Sequence, residues 1–240
     1  MHLATDYPGV QNVKAEAAKG SFFITLIEMT DSSRRELEAI PGVHAMIHNG
    51  LSAPAYRAFL HDLYHIVWHF CPIMATAAAR CDDRYRNVRY DLYERIEEEK
   101  GHEEWVLEDI AAMGGDVAAA RANPPSAPAQ AMIGFNYHVA ERVHPCSVLG
   151  MLYMLEVVSS VYGGRVSDSI ARAQGRTVDG GGFRFLSSHS SMDQDHVAKL
   201  NLLLKTIEDP AAQSAVVNAT QVNFHQFGGL FREGGPLLPR

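Results

Sequence analysis

The chain has 240 residues, close to half of them hydrophobic and one fifth charged, with a formal net charge of −7. That length suits one large domain or two small ones, and the composition is that of an ordinary soluble protein able to bury its core without disulfide staples; a single domain, residues 1–240, is expected. The acidic balance excludes a phosphate-binding surface, so no nucleic-acid partner is expected.

Three cysteines, Cys71, Cys81 and Cys146, occur without a CxxC spacing, which argues against a zinc ribbon or a thioredoxin-type site. The opening MHLATDYPGV lacks the charged-then-apolar layout of a signal peptide. No run of about 20 apolar residues suggests a membrane span. A reducing cytoplasm is the expected compartment.

The periodicity is helical nearly throughout, and alternating strand patterns are scarce. An early helix is expected over Val13 to Glu28 and a second from Asp31-Ser-Ser, with Asp31 or Ser32 as cap. Pro41-Gly42 interrupts it, a short piece follows to His48, and Asn49-Gly50 is a stop signal. Ser52-Ala-Pro54 opens a long helix to about Cys81, with Pro72 as a candidate bend. Asp82-Asp83 starts a helix carrying Glu94, Glu98 and Glu99, which Gly101 bends or relaxes before His102 to Met113. After the loop Asn123 to Pro128, a helix runs to about Val143. The next starts at Pro145, passes through Glu156 and reaches Arg172, and Gly163-Gly164 in it marks a kink or a close contact. A glycine-rich loop, Thr177 to Gly182, leads to a helix over Phe183 to Glu208, and a last one covers Pro210 to Phe231.

Chemistry concentrates in three places. His189, Asp193 and His196 stand at i, i+4 and i+7, so one helix face presents all three. Glu98 and His102 are an i, i+4 pair, and Glu99 and His102 an i, i+3 pair, so either carboxylate can share a face with the imidazole. Glu156 is alone in the apolar stretch MLYMLEVV, where a buried carboxylate is costly unless a charge or metal compensates it. Taken singly, each has a plain explanation. EEEKGHEE is a solvated face, the histidines are core or surface residues, and Glu156 pairs with Arg165 or Arg142. Their coincidence on three helices is the layout with which bundles build metal sites, and imidazoles with carboxylates suit a first-row metal such as iron.

His61, His65 and His69 also repeat every four residues, beside Asp62. Successive i+4 steps drift around a helix, so this is a broad arc rather than a chelate. His65 or Tyr64 facing a central cavity is the preferred reading there. His44, His48, His138 and His144 have no supporting carboxylates and read as structural.

At these residues the chain resembles the heme-oxygenase-like diiron oxidases and their relative, the chlamydial protein associating with death domains, in the TenA/PqqC-like superfamily. His189, Asp193 and His196 match the H-x3-D-x2-H element, Glu98-Glu99-Lys-Gly101 followed by His102 matches the EE-x-G then His element, and Glu156 matches the glutamate of the intervening helix. The resemblance extends from about Val43 to Phe231. It implies an all-α, heme-oxygenase-like seven-helix bundle, two non-heme irons, and dioxygen used to oxidise a small organic metabolite. It also implies a homodimer. By resemblance, Glu98, His102 and His196 favour one iron and Glu156, His189 and Asp193 the other, with Glu98 versus Glu99 left open. The extra glutamate of some members has no equivalent in HDLYHIVWHF. Trp68, Phe70, Met151 and Tyr153 are candidates for an apolar wall around the oxidant.

Two other functions fit the same fold. A metal-independent thiaminase-type or PqqC-like enzyme is the first, and Pro145-Cys146 superficially resembles the thiaminase nucleophile segment, although Gly150 replaces the tyrosine expected one turn later. A heme oxygenase with His44 or His48 as axial ligand belongs to the same group. A non-catalytic ligand-binding helical module is the other.

Overall fold

The computed structural model describes residues 21–232. Among them it is helical, with no strand. The part of the first expected helix before residue 21 lies outside the described residues. Helix α1 spans Phe22–Glu38. It does not restart at Asp31, because that carboxylate is committed to Arg34 and Arg35 on the next turn instead of capping. Pro41 fills the first turn of α2, Pro41–Asn49, which ends at Gly50.

Helix α3 runs Ala53–Arg80, unbroken through Pro72, with the Ser52 hydroxyl accepting from the Ala55 amide. Asp82 caps a single 3-10 turn before α4, Arg86–Glu99. Helix α5 is His102–Ala112, the short α6 is Val117–Ala122, and α7 is Ala127–His138, prolonged by a π-helical stretch Val139–Val143. Helix α8 spans Val148–Ala173 after a 3-10 turn at Pro145–Ser147. Helix α9, Arg184–Leu204, ends short of the expected Glu208, where the Thr206 and Ile207 amides turn back to the Leu203 and Leu204 carbonyls; Asp209 then caps α10, Pro210–Gly228, accepting from the Ala211 amide.

Helix α8 is the axis of the bundle, packed along α9, α10 and α2. Its window of apolar composition would be long enough to cross a membrane, yet 72% of that window is buried inside the protein, as a core helix requires. Two glycines permit the packing. A Cβ at Gly150 would stand 2.5 Å from the Val216 carbonyl oxygen of α10, so no tyrosine fits there. One at Gly163 would stand 3.1 Å from the Leu186 carbonyl oxygen of α9, which identifies the Gly163-Gly164 pair with close approach. The α8–α9 contact sets Glu156 opposite the polar face of α9, and α4 and α5 close the third side.

Candidate metal centre

Helix α9 supplies three donors from one face. His189, Asp193 and His196 are all buried, as helical pitch requires of an i, i+4, i+7 set turned inward. The α4–α5 break supplies two more. Helix α4 ends at Glu99, Lys100 is extended, and Gly101 takes φ +90 before α5 begins at His102. That left-handed step, which glycine adopts without strain, turns the chain so that Glu99 and His102 face the same point.

The donors form two triads that share Glu99. Glu99, His102 and His189 make one, and Glu99, Asp193 and His196 the other, with the ligand atoms of each within 4.8 Å of one another. Glu99 Oε2 lies 2.9 Å from His102 Nδ1 and 3.5 Å from His189 Nε2, while its Oε1 lies 3.5 Å from His196 Nδ1. His102 Nδ1 and His189 Nε2 are 3.2 Å apart. This grouping differs from the partition carried by resemblance, which split His102 from His189 and Asp193 from His196.

Glu98 plays another part. Its side chain is 36% exposed against 8% for Glu99. It accepts from Lys199 Nζ at 2.6 Å and lies 3.3 Å from His196 Nε2, the ring nitrogen turned away from the triad. Lys199 and Glu98 thus orient His196 from behind, the arrangement that fixes ring and tautomer in metal-binding histidines. His189 is fixed similarly. Its Nδ1 lies 3.1 Å from the Phe185 carbonyl oxygen, which only accepts, so the neutral ring keeps its lone pair on Nε2, toward the triad. Phe185 stacks on His189 at 4.0 Å and Trp105 on His102 at 3.9 Å.

Glu156 faces this cluster from α8 but belongs to neither triad. Its partner is Arg95 of α4, not Arg165 or Arg142: Arg95 Nη1 donates to Glu156 Oε1, and both side chains are buried. The other oxygen, Oε2, is buried with no hydrogen-bond partner. Burial pushes the Glu156 carboxyl up to about 7, against the pull of Arg95. Burial also pushes Glu99 upward, yet hydrogen bonds and charge from His189 and His102 outweigh it and hold that carboxyl down to about 2. For His189, desolvation is overcome by the hydrogen bond to Glu99 and the charge of Asp193, which raise its pKa. His196 is raised first by its hydrogen bond to Asp193.

These observations fit a bound cation. Glu99, Asp193 and Glu156 place three buried carboxylates together, with Arg95 as their fixed counter-charge and Arg95 shared with Asp91. Without metal, Arg95 and the protons favoured on Glu156, His189 and His196 offset these carboxylates, and a bound cation could take the place of those protons. Lone pairs from imidazole and carboxylate converge on two points, a donor set for iron and similar first-row metals.

The site forms the polar floor of an apolar cavity of about 120 Å³. Met46, Phe59, Leu63, Leu155 and Leu186 are among its walls, and Glu99, Glu156, His189 and Asp193 open into it. Of the expected wall residues, Phe70 lines it. Trp68 is 47% exposed, because it faces outward from α3, while Met151 and Tyr153 are buried elsewhere in the core. His65 and Tyr64 do not line it; His65 Nε2 is held by the Asn123 carbonyl. Arg95 was the residue that sequence reasoning passed over. It stands three and four positions before Glu98 and Glu99, a spacing that shares their helix face.

Residues 57–223 match a protein family described as iron-containing redox enzyme. No curated protein sequence matches the chain. Among solved structures, a domain of unknown function with a heme oxygenase-like fold from Shewanella denitrificans is 20% identical, with a TM-score of 0.77 over 86% of this chain and 88% of that one. A TenA homologue from Pseudomonas syringae is 14% identical, with a TM-score of 0.73 over 87% and 90%. Heme oxygenase from Leptospira interrogans is 15% identical, with a TM-score of 0.70 over 89% and 99%. At these identities the likeness establishes a shared heme oxygenase-like, TenA-like helical fold.

Proposed function

This chain belongs to the iron-containing redox enzyme family, and on that premise we propose that it is a non-heme iron oxidase or oxygenase acting with dioxygen on a small, largely apolar organic molecule. The observation that carries this reading is Glu99, whose two oxygens reach both triads and suit a carboxylate bridge between two irons. Glu99, His102 and His189 would hold one iron, and Glu99, Asp193 and His196 the other, with Glu156 beside the second. When bound, ferrous iron would supply electrons to dioxygen and open positions for it to enter.

The protein's own groups do the rest. The Phe185 carbonyl keeps the proton of His189 on Nδ1, away from the donor atom. Lys199 and Glu98 hold the His196 ring in place. The apolar walls keep water from the floor and leave about 120 Å³ for a substrate fragment, somewhat less than the cavity of roughly 150 Å³ that takes a benzene ring. That water exclusion protects a reactive oxidant from side reactions.

The alternatives find less support. Cys146 is fully buried, burial pushes its thiol far up, and it does not line the cavity, all adverse to a thiolate nucleophile. His44 and His48 are exposed, so neither is aimed inward as an axial heme ligand. The test is an anaerobic ferrous iron titration of the protein and of His189→Ala, Asp193→Ala and His196→Ala. Each variant should lose most of its iron, and full iron in all three would end the proposal.

A further inference from the structure

Glu156 is a divided carboxylate. Oε1 is taken by Arg95, and Oε2 is buried, unpartnered, in a side chain that opens into the cavity floor. Arg95 is itself held from three directions. It reaches Glu156 through Nη1, Asp91 through Nε, and the His196 carbonyl through Nη2 at 3.4 Å. We propose that Arg95 is an internal competitor of the second metal ion: its guanidinium holds Glu156 back from the Glu99, Asp193 and His196 triad, and that site gains its fourth protein ligand only when Arg95 lets go. The inference rests on the metal-centre reading above.

The argument is one of charge and reach. Once ionised, a carboxylate as buried as Glu156 needs a counter-charge, and in the protein without metal Arg95 is placed to supply it. A divalent ion at the second triad offers a stronger counter-charge, but it meets a fixed positive group already bound to the ligand it needs. Like charges a few ångströms apart in a protein interior repel strongly. Arg95 has somewhere to stay, because Asp91, on its own helix, remains its partner after Glu156 leaves. The first triad has no such competitor among the described residues: the hydrogen bonds of Arg95 go to Asp91, Glu156 and the His196 carbonyl, and to none of Glu99, His102 and His189. Loading is therefore stepwise and unequal. The ion at Glu99, His102 and His189 enters first and tightly, and the second enters weakly. At limiting iron the protein holds one ion, and chemistry that needs two waits for the supply.

The experiment is anaerobic calorimetric titration with ferrous iron of the full chain, the double variant Arg95→Met/Asp91→Asn, and Arg95→Lys. The double variant removes the positive and negative charge together, which limits the folding penalty of orphaning either. The wild type should show two steps of unequal affinity. The double variant should tighten the second step by about tenfold or more, the size of effect that groups behind the ligands exert on metal affinity, and leave the first unchanged. Adding Glu156→Gln should abolish that gain. Arg95→Lys, which keeps the charge without the guanidinium's several arms, should tighten the second step less, and it carries the test if the double variant does not fold. A second step that is unchanged or weaker in the folded variants would overturn the proposal and make Arg95 an orienting partner of Glu156. Two equal tight steps in the wild type would overturn it too, while leaving the metal centre intact. A wild type that binds no iron would sink both.

Discussion

Glu99 Oε2 lies 2.9 Å from His102 Nδ1 although the two residues belong to different helices, the last position of α4 and the first of α5. The step between them depends on Gly101 at φ +90, where an added Cβ would meet nothing within 4 Å. The constraint there is one of backbone conformation and not of space. Gly101→Ala should therefore cost about 1 kcal/mol or more of stability and lower iron content as the Glu99–His102 pair is displaced. Thermal unfolding and metal analysis of the same preparation check both halves.

Glu98 and Glu99 are adjacent but do different things. Glu99→Gln should abolish retention of iron at both triads, since both use this carboxylate. Glu98→Gln should keep most of the iron and loosen it by about tenfold, as expected for a group behind a ligand. Iron measured after anaerobic loading and gel filtration separates the two. Equal losses in both variants would contradict the assignment.

This pair also marks what the sequence made legible. The i, i+4, i+7 set of α9 could be read directly, because helical pitch alone decides that His189, Asp193 and His196 share a face. The isolation of Glu156 in an apolar run pointed to a compensating partner for the same reason. Which of Glu98 and Glu99 turns inward could not be read, since one residue rotates a helix position by about 100° and the break at Lys100-Gly101 resets the phase. The Arg95–Glu156 pair spans 61 residues of sequence, so only the packing of α4 against α8 and α9 brings it together. One helix start differs from the sequence reading because a side chain has a better partner: Asp31 pairs with Arg34 and Arg35 instead of capping.

In metal-free protein, stability should fall as pH rises through neutrality. The folded Glu156 carboxyl keeps its proton up to about 7, against 4.5 for the ordinary group. The folded state thus binds more protons in that window, and the contribution present below about 4.5 is lost as pH passes about 7. His189 and His196, raised from 6.5, act in the same direction. Glu99 acts oppositely: its contribution is present above 4.5 and lost as pH falls toward about 2. Chelator-treated protein should melt higher at pH 5 than at pH 8, and Glu156→Gln should flatten that slope. An unchanged slope in the variant would contradict the burial of an ionisable Glu156.

The cavity can be closed without touching the donors. Val166 lines it and is buried. Val166→Phe should fill it, at a stability cost of up to about 1–3 kcal/mol if the ring overpacks. Iron binding should persist while binding of xenon, which enters apolar cavities of this order, disappears from the chemical shifts. Retained xenon binding would show that the apolar space is not the ligand site.

Cys146→Ala should leave iron content and oxygen uptake unchanged, because the thiol is buried away from the cavity. Loss of oxygen uptake in a well-folded, iron-loaded Cys146→Ala protein would restore the cysteine to the chemistry.

The central claim is that Glu99 joins two iron positions at which dioxygen is used. Oxygen-electrode measurement of anaerobically iron-loaded, desalted protein tests it most directly, with Glu99→Ala alongside. The account predicts oxygen uptake in proportion to bound iron in the wild type and almost none in the variant. A wild type that retains no iron above background, or a variant that consumes oxygen as fast, would contradict it.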